Sequence, residues 1–342
     1  MHLSDFDYKL PEELIAQQPR LSRLDSRLLL VSNDDDYIEL KVSNLISCFD
    51  SGDLLVLNDT KVLPARLAGK TSSGKLVELL IERIISENSA LVRAKNKKSF
   101  KAGDSIFIES RKEVRIVGAD GEFLKIESES CSIMKLFRDY GDVPLPPYIK
   151  RKPEKHDQSR YQTIYATNEG AVAAPTAGLH ITEKFFEECR EKGVEVAKIT
   201  LHVGSGTYSS LRDENLENCV LHSERIRVDQ KTCNQLIQAK KEGRRVIAVG
   251  TTVLRALESL YIENKGITAF EGETSLFIKP GFSFKMVDLL LTNFHLPKSS
   301  LFILVSAFAG VMKMKKVYQF AIENKFRFFS YGDCMILNKD AL

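Results

Sequence analysis

LVELLIERI (residues 76–84), SALVRAK (89–95), DSIFIES (104–110), KEVRIVG (112–118) and EFLKIES (122–128) follow one another at intervals of about ten residues, divided by SSG, KAGD and ADGE. Short β-branched runs punctuated by Gly and Asp turns predict antiparallel strands, and their even spacing predicts a small barrel or sandwich over residues 67–130. On both sides the rhythm changes. Helical stretches (ITEKFFEECREKG, QKTCNQLIQAKKEG, MKKVYQFAIENK) alternate with apolar runs (VEVAKITLHVG, RRVIAVG, LFILVSAFAG), which argues for an α/β domain. The simplest organisation is one discontinuous α/β domain, residues 1–66 and 151–342, interrupted by a β domain at 67–150. Pro144, Pro146 and Pro147 stiffen the return crossing.

A length of 342 residues suits about two domains, each able to bury its own core. A content of 43% hydrophobic and 28% charged residues excludes global disorder. Cys48, Cys131, Cys189, Cys219, Cys233 and Cys334 form no C-x-x-C pair, so they read as reduced, packed thiols and no metal site is expected. The first residues carry Asp5, Asp7, Glu12 and Glu13 and no apolar run, which predicts no signal peptide and a cytoplasmic protein. The charge-free run 299–312 is fourteen residues long. That falls short of the ~20 needed to span a bilayer, so no membrane association is expected. Its length suggests a buried helix, while its place in the alternation suggests a buried strand.

The net charge of +3 divides into −5 for residues 1–66, +3 for 67–150 and +5 for 151–342. RAKNKKSFK (93–101) and the group Lys150, Arg151, Lys152 and Lys155 can follow a phosphate backbone, although a solvated loop is the plainer account of any one basic run. GKTSSGK (69–75) resembles a phosphate-binding loop but lacks the Ser/Thr after its lysine, where Leu76 stands, and a hairpin turn explains it better.

Six polar segments set between apolar elements are candidate site loops. Val203-Gly204-Ser-Gly206-Thr207 follows a strand and adjoins His202, so backbone could approach a ligand there, or simply turn. Gly170–Thr182 carries Thr176 and His180, with Thr182 able to cap the next helix. Asn58-Asp59-Thr60-Lys61, with Arg66 beyond it, is either a turn or a cradle for a polar ligand. Asn293 and His295 sit between two apolar elements, and Gly250-Thr251 with Arg255 opens a helix whose N–H groups suit an anion. Arg327–Asp333 offers aromatics that can stack on bases or edge the core.

Taken together, the segments LPEELIAQQP, LVLNDTKVLPARL, YGDVPLPPYI, RYQTIYA, GAVAAPTAGLHIT, TLHVGSGTY, AVGTTVLRALES, PGFSFKMVDLLLTNFHLP, LVSAFAG and FRFFSYGD resemble, in family order and over nearly the whole chain, the S-adenosylmethionine:tRNA ribosyltransferase-isomerases of queuosine biosynthesis. Ile181, Tyr208 and Ser300 depart mildly from the family pattern, and none of them removes a titratable group. The resemblance implies a barrel-like α/β catalytic domain with an inserted antiparallel β-barrel. It implies S-adenosylmethionine as co-substrate, no metal, and a tRNA partner carrying 7-aminomethyl-7-deazaguanine at the anticodon. The ribosyl group would be transferred to give epoxyqueuosine-tRNA with release of adenine and methionine, by a protein expected to be a monomer. Such a reaction needs a base to remove a 5′ proton next to the sulfonium, an acid for the leaving adenine, and exclusion of water.

On matched positions, His180, His202 and Asp59 are the acid/base candidates. Gly204, Gly206 and Thr207 are expected to border the co-substrate, and Thr251 with Arg255 to hold its methionine carboxylate. Lys61, Arg66, Arg160, Tyr161, Gln162, Thr176, Asn293 and His295 are expected on the nucleobase side. Two other readings stay open: an S-adenosylmethionine-dependent RNA methyltransferase using VGSGTY, and a non-catalytic RNA-binding protein using the 93–101 patch.

Overall fold

The structure, a computed structural model, describes residues 1–342 apart from 33–35, 110–111, 205, 207–210, 212 and 341–342. The run DLLVLN forms the strand Leu54–Asn58, every residue of which is buried. A run without polar alternation belongs where both faces are covered. Leu54 and Val56 enter one core, and Leu55 and Leu57 enter the core on the opposite face. Parallel strands flank it, Glu195–Leu201 on one side and Val246–Val249 on the other, and Leu289–Asn293 continues the parallel order. Cys334–Asn338 then pairs antiparallel, followed by Arg27–Val31 and Tyr37–Lys41. Glu224–Val228 and Phe270–Thr274 extend the other edge antiparallel, giving nine strands in one mixed sheet. Helices Glu183–Lys192, Gln230–Lys241, Thr251–Asn264, Ser300–Ala309 and Val311–Glu323 are interspersed among these strands.

The five quoted runs are strands as expected: Leu76–Ser86, Ser89–Ala94, Ser105–Ile108, Lys112–Asp120 and Phe123–Glu127. A sixth, Arg66–Thr71, closes them into a barrel by pairing with Leu76–Ser86 on one side and Ser105–Ile108 on the other. Leu67, Leu79, Ile81, Val92, Ile106, Ile116 and Leu124 fill its interior, the inward half of a period-two pattern. GKTSSGK is the hairpin between the first two strands, with Thr71 N–H donating to Lys75 O at 2.9 Å.

LFILVSAFAG is a helix, which corrects its reading as a strand. It is apolar on nearly every side because sheet and neighbouring helices bury it, and the Ser299 hydroxyl caps it by accepting from Phe302 N at 3.1 Å. The chain leaves the barrel through the helix Ile133–Tyr140 and Gly141, which pairs with Leu67. A Cβ at Gly141 would lie 2.1 Å from Pro64 O and 2.4 Å from Phe137 O, both backbone atoms. Gly141→Ala is therefore expected to destabilise the protein by on the order of 3 kcal/mol, read as a lower urea midpoint. An unchanged midpoint would show that the crossing can move aside.

Candidate active site

Three cavities run in series beside the C-terminal ends of the parallel strands, where open α/β sheets take their ligands. The first, about 360 Å³, is walled by segments 173–177, 250–255, 292–299 and 329–330 together with Tyr148. The second, about 290 Å³, shares Arg255 and Leu301 with the first. The third, about 930 Å³, is the cleft between barrel and sheet, and shares Gly204, His222 and Glu224 with the second.

Arg255 stands at the first junction. It projects from the helix Thr251–Asn264 and is 6% exposed. Its Nη1 pairs with Glu224 and its Nε donates to Leu276 O at 3.1 Å, while Nη2 has no partner among the described residues. The other Glu224 oxygen accepts from Gly204 N at 3.3 Å, which ties the glycine segment to the arginine. Thr251 and Thr176 line the first cavity with Arg255. Gly206 lines the second, and Thr207 lies outside the described residues.

Asn293 ends the strand Leu289–Asn293. Its Nδ2 donates to Phe329 O at 3.0 Å and to His180 Nε2 at 3.3 Å, leaving Oδ1 buried at the first cavity without a partner among the described residues. Tyr148 and Phe329 stack at 4.5 Å on the same wall, and Tyr148 shares a 2.6 Å hydrogen bond with Ser330. His180 stands behind Asn293 and does not line the cavity, whereas His295 does. The Tyr318 hydroxyl accepts from His295 N at 2.9 Å and lies 3.3 Å from Nδ1 of the same ring, whose Nε2 lies 3.3 Å from Thr292 Oγ1.

Burial, with Arg23 nearby, lowers His180 to about 4, and burial lowers His295 to about 3. Both rings are neutral at pH 7. An unfolded chain protonates them near 6.5, so their contribution to stability is whole above that pH. It is lost as pH falls, down to about 4 for His180 and about 3 for His295. The loss for His180 is on the order of 3 kcal/mol. The thermal midpoint is expected to drop between pH 6.5 and 4, and less steeply in His180→Gln; identical slopes for the two proteins would refute this.

His202 belongs to the cleft. Its Nδ1 lies 2.8 Å from Thr60 Oγ1, and that hydroxyl lies 3.5 Å from Asn168 O. A Thr60 hydroxyl turned to the carbonyl accepts Nδ1–H and leaves the Nε2 lone pair to the cleft. Burial first and Arg225 second lower its pKa, so the basic form prevails at neutral pH. The ring packs flat on Gly170, where a Cβ would sit 2.7 Å from Nδ1 and the φ of +154° also favours glycine.

The remaining expected residues are engaged elsewhere. The Asp59 carboxylate accepts from Thr200 at 2.7 Å, Thr167 at 3.1 Å and Asn168 at 3.0 Å, pinning the strand Asn168–Ala171. Arg160 donates to Leu21 O and Arg20 O, and Gln162 clasps the Val62 backbone at both its N–H and its carbonyl. Tyr161 is buried edge-on to Tyr331. Arg66 donates to Leu145 O at 3.0 Å, and Lys61 pairs with Glu169 at 3.1 Å. None of these six residues lines the first two cavities. Thr60, Glu224 and Tyr148 are the residues sequence reasoning passed over; Thr60 stands inside the Asn58–Lys61 segment that drew attention for its neighbours. Among the described residues, no group of three or more His, Cys, Asp or Glu is placed to hold a metal ion, and no helix is long and apolar enough to cross a membrane.

A mixed α/β sheet with a closed barrel inserted, and cavities beside the strand ends at whose junction the buried Arg255 keeps one nitrogen without a partner among the described residues, are the frame of an α/β enzyme. Residues 3–337 match the family model described as queuosine biosynthesis protein, and the chain belongs to that family. It is 46% identical over 340 residues to the S-adenosylmethionine:tRNA ribosyltransferase-isomerase of Vesicomyosocius okutanii, with 99% of each chain covered. It is 48% identical over 345 residues to the protein of that name from Polynucleobacter necessarius, with 98% of each covered. The crystal structure of S-adenosylmethionine tRNA ribosyltransferase from Thermotoga maritima is 30% identical, with a TM-score of 0.57 over 97% of this chain and 99% of its own.

Proposed function

We propose that this chain is an S-adenosylmethionine:tRNA ribosyltransferase-isomerase, acting in the cytoplasm as a monomer on tRNA that carries 7-aminomethyl-7-deazaguanine. The observation that carries the reading is the pair of buried unpartnered atoms, Arg255 Nη2 and Asn293 Oδ1, on cavities walled by the segments that bear the family likeness. The nested division, 1–66 with 151–342 around 67–150, belongs to the same proposal.

The residues divide the work. Arg255, with Thr251 beside it, holds the methionine carboxylate by a charge-assisted bond in a place where water does not compete. The Tyr148–Phe329 wall takes the flat deazaguanine, and Asn293 Oδ1 accepts from the N–H edge that guanine-type bases present. His180 is a positioning residue that fixes the Asn293 amide. The sulfonium co-substrate supplies acidified 5′ C–H bonds, and His202 Nε2 is the base that receives the proton. Asp59 acts through the strand that carries Asn168 and Gly170, rather than on substrate.

The methyltransferase reading loses ground because the strand Glu195–Leu201 leads, among the described residues, only to the short 3-10 turn Leu216–Asn218 and to no cofactor-binding helix. The 93–101 patch is partly spent within the barrel, since Arg93 pairs with Glu122 and Lys97 with Gly121 O. The test is incubation with S-adenosylmethionine and tRNA bearing the deazaguanine. Adenine, methionine and a heavier nucleoside are expected; S-adenosylhomocysteine, or no adenine at all, would sink the proposal.

A further inference from the structure

The basic group Lys150, Arg151, Lys152 and Lys155 is one edge of a larger charged surface. The segment 17–23 packs against it: Arg151 donates to Gln17 O at 3.0 Å, Gln18 to Glu154 at 3.0 Å, and Arg160 to Leu21 O at 2.7 Å and Arg20 O at 2.8 Å. Arg327 joins from near the end of the chain through Gln18 O. The fold thus gathers Arg20, Arg23, Arg160 and Arg327 from three separate segments. Among the described residues one carboxylate forms an ion pair with this group, the buried Asp333, 3.3 Å from Arg20 Nη2. Arg23 meets carbonyls instead, those of Leu179, Ser159 and Gln162, as do Arg160 and Arg327. A carbonyl satisfies a hydrogen bond and leaves the charge in place. Burial first and Arg160 second lower the pKa of Arg23, and burial first and Arg20 second lower that of Arg327. Like charges held together against their own repulsion are stabilised by an anion from outside.

This surface adjoins the Tyr148–Phe329 wall of the first cavity. Gln17 donates to Tyr148 O at 2.9 Å and accepts from Lys150 N at 2.7 Å, and Arg327 stands two residues ahead of Phe329. A nucleotide whose base rests on that wall carries phosphates on both sides, and these have to lie on the protein beside it. We infer that Arg20, Arg327, Lys152 and Lys155 receive the phosphate backbone of the tRNA next to the modified nucleotide, while Arg23 and Arg160 are positioning residues that hold the segments carrying them. This deepens the function proposed above and rests on it. Arg20 and Arg327 each keep Nη1 without a partner among the described residues, and a guanidinium fork suits phosphate oxygens. Lys152 and Lys155 are exposed and have no ion pair among the described residues.

Binding of tRNA that bears the deazaguanine, measured with the full chain over a range of salt concentrations, tests the surface. Each phosphate contact adds about 0.7–0.9 to the slope of log affinity against log salt. Arg20→Gln/Arg327→Gln is expected to weaken binding at least about tenfold at low salt and to reduce that slope by about 1.5. Lys152→Gln/Lys155→Gln, which removes two exposed side chains and so spares the fold, is expected to reduce the slope by about as much. Lys95→Gln/Lys98→Gln, on the rival 93–101 patch, is expected to leave it unaltered. Wild-type slopes in both the arginine and the lysine variants of the proposed surface, or a fall confined to Lys95→Gln/Lys98→Gln, would overturn the inference while leaving the reaction in place. Absence of adenine release from the wild-type protein would instead remove the reading beneath it.

Discussion

His202→Asn is expected to lower the rate of adenine release by about 10²–10⁴-fold at saturating substrates, with little change in KM. The asparagine keeps a polar group toward Thr60 but has no basic nitrogen for the cleft. Thr60→Val is the more telling companion. It leaves the imidazole in place and removes the hydroxyl 2.8 Å from Nδ1, so the ring loses its tautomer control rather than its basicity. A fall in kcat of about tenfold to a hundredfold is expected, again with KM nearly constant, because orientation of a base acts on the transition state alone. Since burial lowers the His202 pKa, the acid limb of the kcat/KM profile should lie below pH 6.5 and be absent from His202→Asn. Full activity in His202→Asn would transfer the base to another residue, and His295 would be the next to test.

Arg255→Leu should raise KM for S-adenosylmethionine about a hundredfold or more, the usual loss on truncating one partner of a buried charge pair. The substitution also strands the Glu224 carboxylate, 7% exposed, with Gly204 N–H as its one remaining partner among the described residues. That costs about 3–5 kcal/mol, so poor binding by the single variant could reflect a loosened fold. The double variant Glu224→Leu/Arg255→Leu separates the two causes. Replacing both ions with apolar side chains of similar size is often neutral or stabilising, so the thermal midpoint should recover while the KM stays high. Recovery of both would mean that Arg255 holds the fold and not the substrate.

Much of the architecture was legible in the chain. The short runs of LVELLIERI and its four neighbours, with Gly and Asp turns at intervals of about ten residues, set the barrel strands because turn residues and run length are local properties. Thr182 was read as a helix cap, and its hydroxyl accepts from Phe185 N at 3.3 Å. Single runs without alternation were less decisive. LFILVSAFAG carried no period to mark it as helix or strand, and only its neighbours on every side decided for the helix.

The site was legible as a set of loops and not as a set of roles. Arg160, Gln162 and Asp59 have the right chemistry for a ligand, yet each meets a backbone or side-chain partner brought from 100 or more residues away. His180, His202 and His295 have equal unperturbed acidity, and their standing in the site follows from which ring faces a cavity and which is walled off behind Asn293.

The sequence by itself determined the α/β frame, the nested β insert, the family and the loops where chemistry sits, because period, turn residues and segment order are local properties of a chain. Tertiary structure alone decided which polar atoms end without partners. A guanidinium is satisfied or available according to what the rest of the molecule brings within about 3 Å of it, and no local pattern records that. At Arg255 the fold supplied Glu224 and Leu276 O and left Nη2 open.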